Sequence, residues 1–199
     1  MARRIGSVAT TVATVILFLA SCGGGGGGGD EVRTLSVDDV GKIILQPSDA
    51  PPGTTYDGGN SGMATAELLT QGVPGAAAQL NSLGLQGSQV SIFGASDGTA
   101  VGSAALVFPD AGAADRAMDV QIGVVLPAVA SGVRPLAAAD VGEESVAVGF
   151  ASGPTGKPGG SVVFRVGNVM FFMNGSGPSI QPADLVRLAE LVAARAEAV

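Results

Sequence analysis

The chain has 199 residues, of which 14% are charged, and its formal net charge is −7 at pH 7. This acidity argues against nucleic-acid binding, because such an interface needs basic side chains that displace the counterions of the phosphates. The sequence contains no histidine and only one cysteine. We therefore expect no intramolecular disulfide, no zinc or copper site and no histidine-based catalytic triad.

The N-terminal segment has the pattern of an export signal. Arg3 and Arg4 precede an apolar run from Val8 to Ala20, which is the order of charge and apolarity found in signal peptides. The run is shorter than the roughly 20 apolar residues that a membrane-spanning helix requires. The segment is therefore predicted to direct export and then to be removed.

The sole cysteine, Cys22, directly follows Leu19-Ala20-Ser21. This order resembles the lipobox of bacterial lipoproteins, in which an aliphatic residue and two small residues precede the lipidated cysteine. The resemblance implies cleavage between Ser21 and Cys22 and attachment of acyl chains to Cys22. Each buried methylene of such a chain contributes about 0.8 kcal/mol to membrane binding. The alternative is an ordinary signal peptide that is cleaved nearby, with Cys22 incidental.

The composition divides the chain into three parts. Residues 1–21 are predicted to be the signal peptide, residues 22–32 a lipidated cysteine with a flexible glycine linker, and residues 33–199 a single exported domain. The seven glycines of the linker make it a flexible tether. After cleavage the chain has eight basic and 17 acidic residues, a net charge of −9. Electrostatic binding of a basic segment to anionic lipid is therefore not expected.

Periodicity and turn residues predict an α+β domain with a mainly antiparallel sheet packed against helices. Ser36 is the predicted N-cap of the first helix, and Pro74 is predicted at the first position of the third. Helices are predicted over residues 36–45, 65–71, 74–83, 110–131 and 182–199. Strands are predicted over residues 54–57, 88–93, 99–108, 145–150, 161–166 and 169–174. Pro127 is predicted to kink or end the long fourth helix.

The clearest hairpin joins residues 161–166 to residues 169–174 through Gly167-Asn168, a two-residue loop that suits tight hairpins. Its register predicts one face on which three side chains of the first strand oppose three of the second, namely Val162, Phe164 and Val166 opposite Met173, Phe171 and Val169. The other face carries Val163, Arg165, Met170 and Phe172. Either helices cover this apolar face, or Val163, Met170 and Phe172 line a hydrophobic pocket.

One short motif resembles a hydrolase site. Residues 94–98 match the Gly-x-Ser-x-Gly pattern, with Ser96 at the position of the nucleophile. The turn leads into another strand, however, and the chain has no histidine to take the serine proton. Only Lys42 or Lys157 remains as a base. Ser96 is therefore predicted to be a turn residue, and the protein is predicted not to be an enzyme.

Two further patterns also fail as sites. Residues 153–158 approximate a phosphate-binding loop, but Ala151 replaces its first glycine and Pro158 replaces the hydroxyl residue that would hold magnesium. The adjacent acidic residues Asp38-Asp39 and Glu143-Glu144 point to opposite faces if extended, so neither doublet makes a two-ligand site. We therefore expect solvated surface charge, with no metal and no cofactor.

Four structural segments resemble those of uncharacterised exported α+β domains of bacterial lipoproteins. They are residues 48–53, Gly142-Glu143-Glu144-Ser145, residues 163–169 and Leu188-Ala189. The resemblance covers about residues 33–199. It implies one compact domain outside the cytoplasmic membrane, and it brings no activity.

Three functional hypotheses follow. The first is a membrane-anchored, non-enzymatic binding or interaction module, whose partner is a protein, the cell wall or a small hydrophobic ligand. The second is a carrier of a lipid or another hydrophobic small molecule. The third is a hydrolase that uses Ser96 or a pair of carboxylates, and with Ser96 it requires a cleft that joins this residue to Lys42 or Lys157.

Overall fold

The computed structural model describes residues 33–137 and 140–199. The predicted signal peptide, cleavage site, Cys22 and glycine linker lie outside the described residues. No helix within these described ranges has both the length and the apolar character needed to cross a membrane.

The first half of the domain places three short helices around the first strands. Ser36 caps the first helix: its Oγ accepts the Asp39 amide hydrogen, and the Asp39 carboxylate accepts from the Ser36 backbone. The elements are helix α1 (Val37–Ile43), a 3-10 turn (Pro47–Asp49), strands β1 (Thr55–Tyr56) and β2 (Gly62–Met63), helices α2 (Ala66–Leu69) and α3 (Ala76–Ser82), and strands β3 (Gly87–Gly94) and β4 (Ala100–Val107).

The second half contains the longer helices and the central hairpin. Its elements are helix α4 (Ala111–Val120), a π-helical segment (Gln121–Val125), helix α5 (Leu126–Val129), strands β5 (Arg134–Pro135), β6 (Glu144–Phe150), β7 (Gly159–Val166) and β8 (Val169–Ser176), and helix α6 (Pro182–Ala198). The two-residue strands β2 and β5 were not expected, because two residues are too few to show an alternating pattern.

Two helix predictions need correction. Pro74 is not the first residue of α3, which begins at Ala76. Instead, the Val73 carbonyl accepts from the Ala76 amide across Pro74-Gly75, and Gly75 has φ +78°. That is the arrangement of a type II turn, in which proline precedes a residue with positive φ.

The predicted long helix over residues 110–131 also differs in detail. Asp110 caps it through a 2.7 Å bond from the Ala113 amide to its Oδ1. The helix changes its winding just before Pro127, in the π-helical segment. Pro127 has no N–H to donate to the Gly123 carbonyl, so the regular hydrogen-bond ladder cannot continue through this point.

In the described part of the chain, the strands form one eight-stranded antiparallel sheet. Its order is β1-β3-β4-β8-β7-β6-β5, with β2 also paired to β3. The register of β7 with β8 is as predicted, because Phe164 lies opposite Phe171 and Val166 opposite Val169. Gly167, the first loop residue, has φ +56°, as a type II′ hairpin turn requires. The predicted α+β fold class is confirmed.

The sheet has two covered faces with separate cores. We call the face under α1 and α6 the closed face; its largest buried side chains are Phe93, Phe164, Phe171 and Met173. We call the opposite face, under α2, α3 and α4, the open face; its core includes Leu80, Leu106, Phe108 and Met170. Alternating residues of the same strands supply the two cores.

Asn168 ties the central hairpin to the start of the domain. Its Nδ2 donates to the carbonyl oxygens of Leu35 (3.1 Å) and Phe108 (2.8 Å), and its Oδ1 accepts from the Leu35 amide at 2.7 Å. The side chain is buried. The sequence identified Asn168 only as a turn residue, since its partners lie 133 and 60 residues away.

Candidate functional site

A cleft lies on the open face, between α2 on one side and the π-helical segment and α5 on the other. It consists of two adjoining cavities of about 160 Å³ each. Both cavities are lined by Gln71, Ile92, Gly102 and Asn174. We treat them as one site because these four residues are common to both.

Small residues of β4 make the floor of the cleft. Ala100, Gly102 and Ala104 alternate along the strand and line it. In the middle row, Gly102 lies between Ile92 of β3 and Asn174 of β8. A Cβ atom added at Gly102 would meet no other atom within 4 Å. The cleft therefore exists because β4 presents little side-chain volume between two larger neighbours.

The walls of the cleft are mostly apolar. Larger apolar side chains come from five elements that surround the floor, namely Leu68 and Leu69 of α2, Val90 of β3, Leu126 and Val129 of α5, Phe150 of β6 and Phe172 of β8. No charged residue is among those that line the two cavities. Such a lining favours an uncharged, largely apolar ligand.

The backbone is irregular at two points on the rim. Gln71 has φ +53°, and among the described residues other than glycine it alone has a positive φ. Gln121 begins the π-helical segment. Such segments occur often at functional sites, and strained backbone conformations cluster there too. Both irregular positions place a carboxamide at the same cleft.

The Gln121 carboxamide is a buried polar group at this rim. The residue is 5% exposed, and its side chain makes no hydrogen bond to any other residue in the described ranges. Asn174 lines the same cavity from the sheet. Nearby, the hydroxyl groups of Thr155 and Ser176 are 2.8 Å apart and hydrogen-bonded to each other.

The three residues predicted to line an apolar pocket occupy two kinds of position. Val163 and Met170 lie in the open-face core beneath α4, with Met170 fully buried. Phe172 also belongs to this core, but its side chain lines the cleft. The helices thus cover most of this apolar face, and the cleft begins where their cover ends. The predicted lipidation and cleavage residues, Cys22 and Ser21, are outside the described residues.

The structure places Ser96 in the exposed turn between β3 and β4. Lys157 is close to this turn, but its Nζ donates to the carbonyl oxygens of Asp97 (3.1 Å) and Gly98 (2.9 Å). An ammonium group held by two carbonyl oxygens stabilises the turn and is not free to take a serine proton. Lys42 lies on α1, which packs against Gly87 at the other end of β3.

The Asp97 carboxylate strengthens the same turn. Its Oδ2 accepts from the Ser179 hydroxyl at 2.6 Å, and its Oδ1 accepts from the Thr99 amide at 2.7 Å. These hydrogen bonds, the one from Ser179 first, hold the pKa of Asp97 below its ordinary value. The arrangement joins the β3–β4 turn to the segment before α6, which is a structural role.

The other acidic candidates also have structural partners. Glu143 forms an ion pair with Arg165 and accepts from the Gly167 amide at 2.9 Å. Glu144 lies near Asp115 of α4; their hydrogen bond, together with partial burial and the charge of Asp115, raises the pKa of Glu144. Throughout the residues that the structure describes, no three potential metal-ligating side chains are grouped as a metal site would require.

No protein family model matches the chain, and no curated protein matches it. Among solved structures, the extracellular domain of PknH from Mycobacterium tuberculosis matches with a TM-score of 0.55 and 14% identity, covering 84% of this chain and 100% of that domain. A putative uncharacterised protein (Rv0999 ortholog) from Mycobacterium smegmatis matches with a TM-score of 0.44 and 13% identity, over 82% and 96% of the two chains. At 14% identity the first match shows a shared fold. The second match, with its lower TM-score, supports no conclusion about this chain.

Proposed function

We propose that this protein is an exported, lipid-anchored and non-enzymatic module that binds a hydrophobic small molecule in the cleft over Gly102. The observation that carries the proposal is the cleft itself, an apolar depression with uncharged polar groups at its edge. Ligand sites in proteins commonly combine an apolar lining with a few placed hydrogen-bonding groups.

The contacts of the hydrolase candidates support a non-enzymatic role. The turn that holds Ser96 is fixed by Lys157 and by Asp97, whose polar groups are engaged by backbone and hydroxyl partners. The residues that line the cleft include no carboxylate, amine or thiol. A cleft with this lining can hold a molecule, but it offers no group that would exchange a proton with it near neutral pH.

Two observations support a location outside the cytoplasm. The N-terminal segment has the order of a signal peptide followed by a lipobox-like cysteine, and the fold is shared with an extracellular domain. Replacement of the cysteine, Cys22→Ser, tests the anchor. We expect it to abolish incorporation of labelled fatty acid, and continued labelling of this variant would contradict the anchor.

The carrier function remains the second candidate, and the apolar lining next to Phe172 favours it. A carrier releases its ligand to a membrane, whereas a binding or sensing module retains it. The two are separated by mixing the ligand-loaded protein with phospholipid vesicles and following the ligand by mass spectrometry. Rapid transfer to the vesicles would indicate a carrier.

The binding proposal is tested by native mass spectrometry of the protein purified from its own membranes. We expect the wild-type chain to retain a small molecule and the Gly102→Leu variant to lose it, because the added side chain enters the open space above the sheet. The matched control is Gly58→Leu, which adds the same side chain in an exposed turn where only Tyr56 is near. Equal retention by Gly102→Leu and the wild type would refute the cleft as the binding site.

A further inference from the structure

We infer that the ligand of the cleft is an uncharged amphiphile, with an apolar body and a head group that both donates and accepts hydrogen bonds, such as a carboxamide. This inference rests on the proposed function and adds the chemical class of the ligand. Its hydrogen-bond partners are the carboxamides of Gln121, Asn174 and Gln71. These residues come from three separate segments of the chain and line the same cavity.

Gln121 is the strongest evidence for a polar head group. It is 95% buried, since 5% of its surface is exposed, and it borders the cavity without a hydrogen-bond partner in the described part of the chain. Its amide atoms are not among the buried side-chain atoms that lack a partner in the described residues, because they remain accessible from the cavity. A ligand that covered this carboxamide without pairing with it would bury an amide at a cost of about 1–3 kcal/mol. A ligand group that pairs with the carboxamide avoids this cost, so the cavity favours a polar contact at this position.

The surroundings of Gln121 explain why its carboxamide reaches the cavity. The regular winding of α4 ends at Val120, and Gln121 starts the wider π-helical segment. Asn174 stands at the sheet side of the same cavity, next to Gly102 in the central row. Gln71 contributes from the turn that follows α2, at a backbone conformation that costs free energy for a residue other than glycine.

Carboxamides both donate and accept hydrogen bonds. They therefore complement an amide better than a group that only accepts or only donates.

The absence of charge in the lining disfavours an ionised head group. No lysine or arginine lines either cavity to pair with a carboxylate or phosphate, and an unpaired charge in an apolar cleft is strongly unfavourable. The net charge of −9 on the chain from Cys22 onward further disfavours anions. No acidic residue lines the cavities either, so an organic cation has no partner.

The size of the cleft limits the apolar body. Each cavity holds about 160 Å³, and a cavity of about 150 Å³ in another protein accommodates benzene. A short alkyl chain that runs from one cavity into the next fits this volume. Decanamide and decanoate are suitable probes, because they share an alkyl chain and differ only in a neutral or an ionised head.

The test uses NMR titration of the chain from residue 22 onward, with Cys22→Ser to remove the lipid. We expect decanamide to shift the resonances of cleft residues and to bind about tenfold more tightly than decanoate at pH 7, the equivalent of one net hydrogen bond. Equal affinity for both probes, or tighter binding of decanoate, would overturn the inference. So would the absence of cleft shifts with decanamide.

Two variants test whether the cleft carboxamides cause the preference for decanamide over decanoate. Gln121→Leu keeps the volume and removes the carboxamide, so we expect it to bind decanamide about tenfold more weakly and decanoate no more weakly than the wild type. Asn174→Leu serves as a second variant if the first does not fold. Gln79→Leu, at an exposed position of α3, is the matched control and should behave like the wild type. An unchanged preference in both cleft variants would overturn the inference.

These outcomes are distinct from failure of the proposed function. If both probes bind equally and Gly102→Leu abolishes both, the cleft is a binding site without head-group selectivity. In that case the inference fails and the proposed function stands. If Gly102→Leu has no effect on the ligand retained from membranes, the proposed function fails independently of the probes.

Discussion

The two faces of the sheet are formed by the same strands, but one face is filled by a core and the other leaves a cleft. On the closed face, the rings of Phe164 and Phe171 stack with their centroids 5.1 Å apart, and both are fully buried. On the open face, β4 presents Ala100, Gly102 and Ala104 and leaves a cleft. The difference shows that the same strands can complete a core on one side of the sheet and leave a cleft on the other.

The helices that cover the faces differ in the same sense. The closed face is covered by α6, an uninterrupted helix of 17 residues with six buried positions. On the open face, α4 changes to a π-helical segment and then to the short α5. An uninterrupted helix therefore covers the filled core of the closed face, whereas an interrupted helix borders the cleft of the open face.

The largest expected change in the free energy of unfolding comes from truncating Phe171 or Phe172, two neighbouring residues that point to opposite faces of the sheet. Phe171→Ala removes a fully buried ring from the closed face and should cost about 3–5 kcal/mol of unfolding free energy. Phe172→Ala should cost at least about 1 kcal/mol less, because one side of this ring already borders the cleft. Urea unfolding of both variants measures the difference. Equal losses would mean that the cleft is not a real gap in the packing.

A smaller effect is expected at the ion pair that fixes α6 over the closed face. Arg195 donates to both oxygens of Asp49 at 2.7 and 2.8 Å, and these bonds hold the pKa of Asp49 below its ordinary value. A lowered pKa stabilises the folded state above the unfolded value of about 4, and this contribution is lost as the pH falls through the folded pKa.

Asp49→Asn should therefore cost about 1–2 kcal/mol at pH 7 and progressively less below about pH 4. Thermal unfolding of this variant and of the wild type between pH 2 and 7 measures the trend. Asp38→Asn, in the exposed first turn of α1, is the control and should change stability by less than about 0.5 kcal/mol. A cost for Asp49→Asn that does not change with pH would assign the effect to packing and not to the ion pair.

The smallest effect is expected on the open-face side, where Glu144 lies near Asp115 of α4. The raised pKa of Glu144 means that its charged form is disfavoured in the folded state. This lowers stability once the pH rises above the unfolded value of about 4. Glu144→Gln should therefore stabilise the protein by a few tenths of a kcal/mol at pH 7, a size set by solvent screening at this exposed position.

Below about pH 4 the same substitution should have no effect, because Glu144 is protonated in both states. Unfolding free energies at pH 3.5 and pH 7 provide the comparison. Destabilisation by Glu144→Gln at pH 7 would show that the electrostatic attraction of Glu144 to the nearby Arg165 outweighs its repulsion from Asp115.

The sequence predicted the closed face better than the open one. The alternation in β7 and β8 and the two-residue loop at Gly167 were enough to set the hairpin register, because both signals are local. The cap at Ser36 and the amphipathic pattern of α6 are local as well. Pro74-Gly75 was misread because a proline suits both the start of a helix and a type II turn.

The cleft could not be predicted because it depends on neighbours that are distant in sequence. Gly102 makes an opening only because Ile92 and Asn174 lie beside it in the sheet. Gln121 looks like an ordinary helical residue until the winding around it is known. The one local signal was the series of small residues at alternate positions of β4. It indicates a part of the sheet with little side-chain volume, but it does not indicate which residues surround that part.

A crystal structure of the protein purified from its own membranes tests most directly whether the cleft holds a ligand. We expect continuous density above Gly102 that contacts Phe172 and lies within hydrogen-bond distance of the Gln121 carboxamide. A cleft that contains only water, with a co-purified molecule bound elsewhere on the chain, would contradict this expectation.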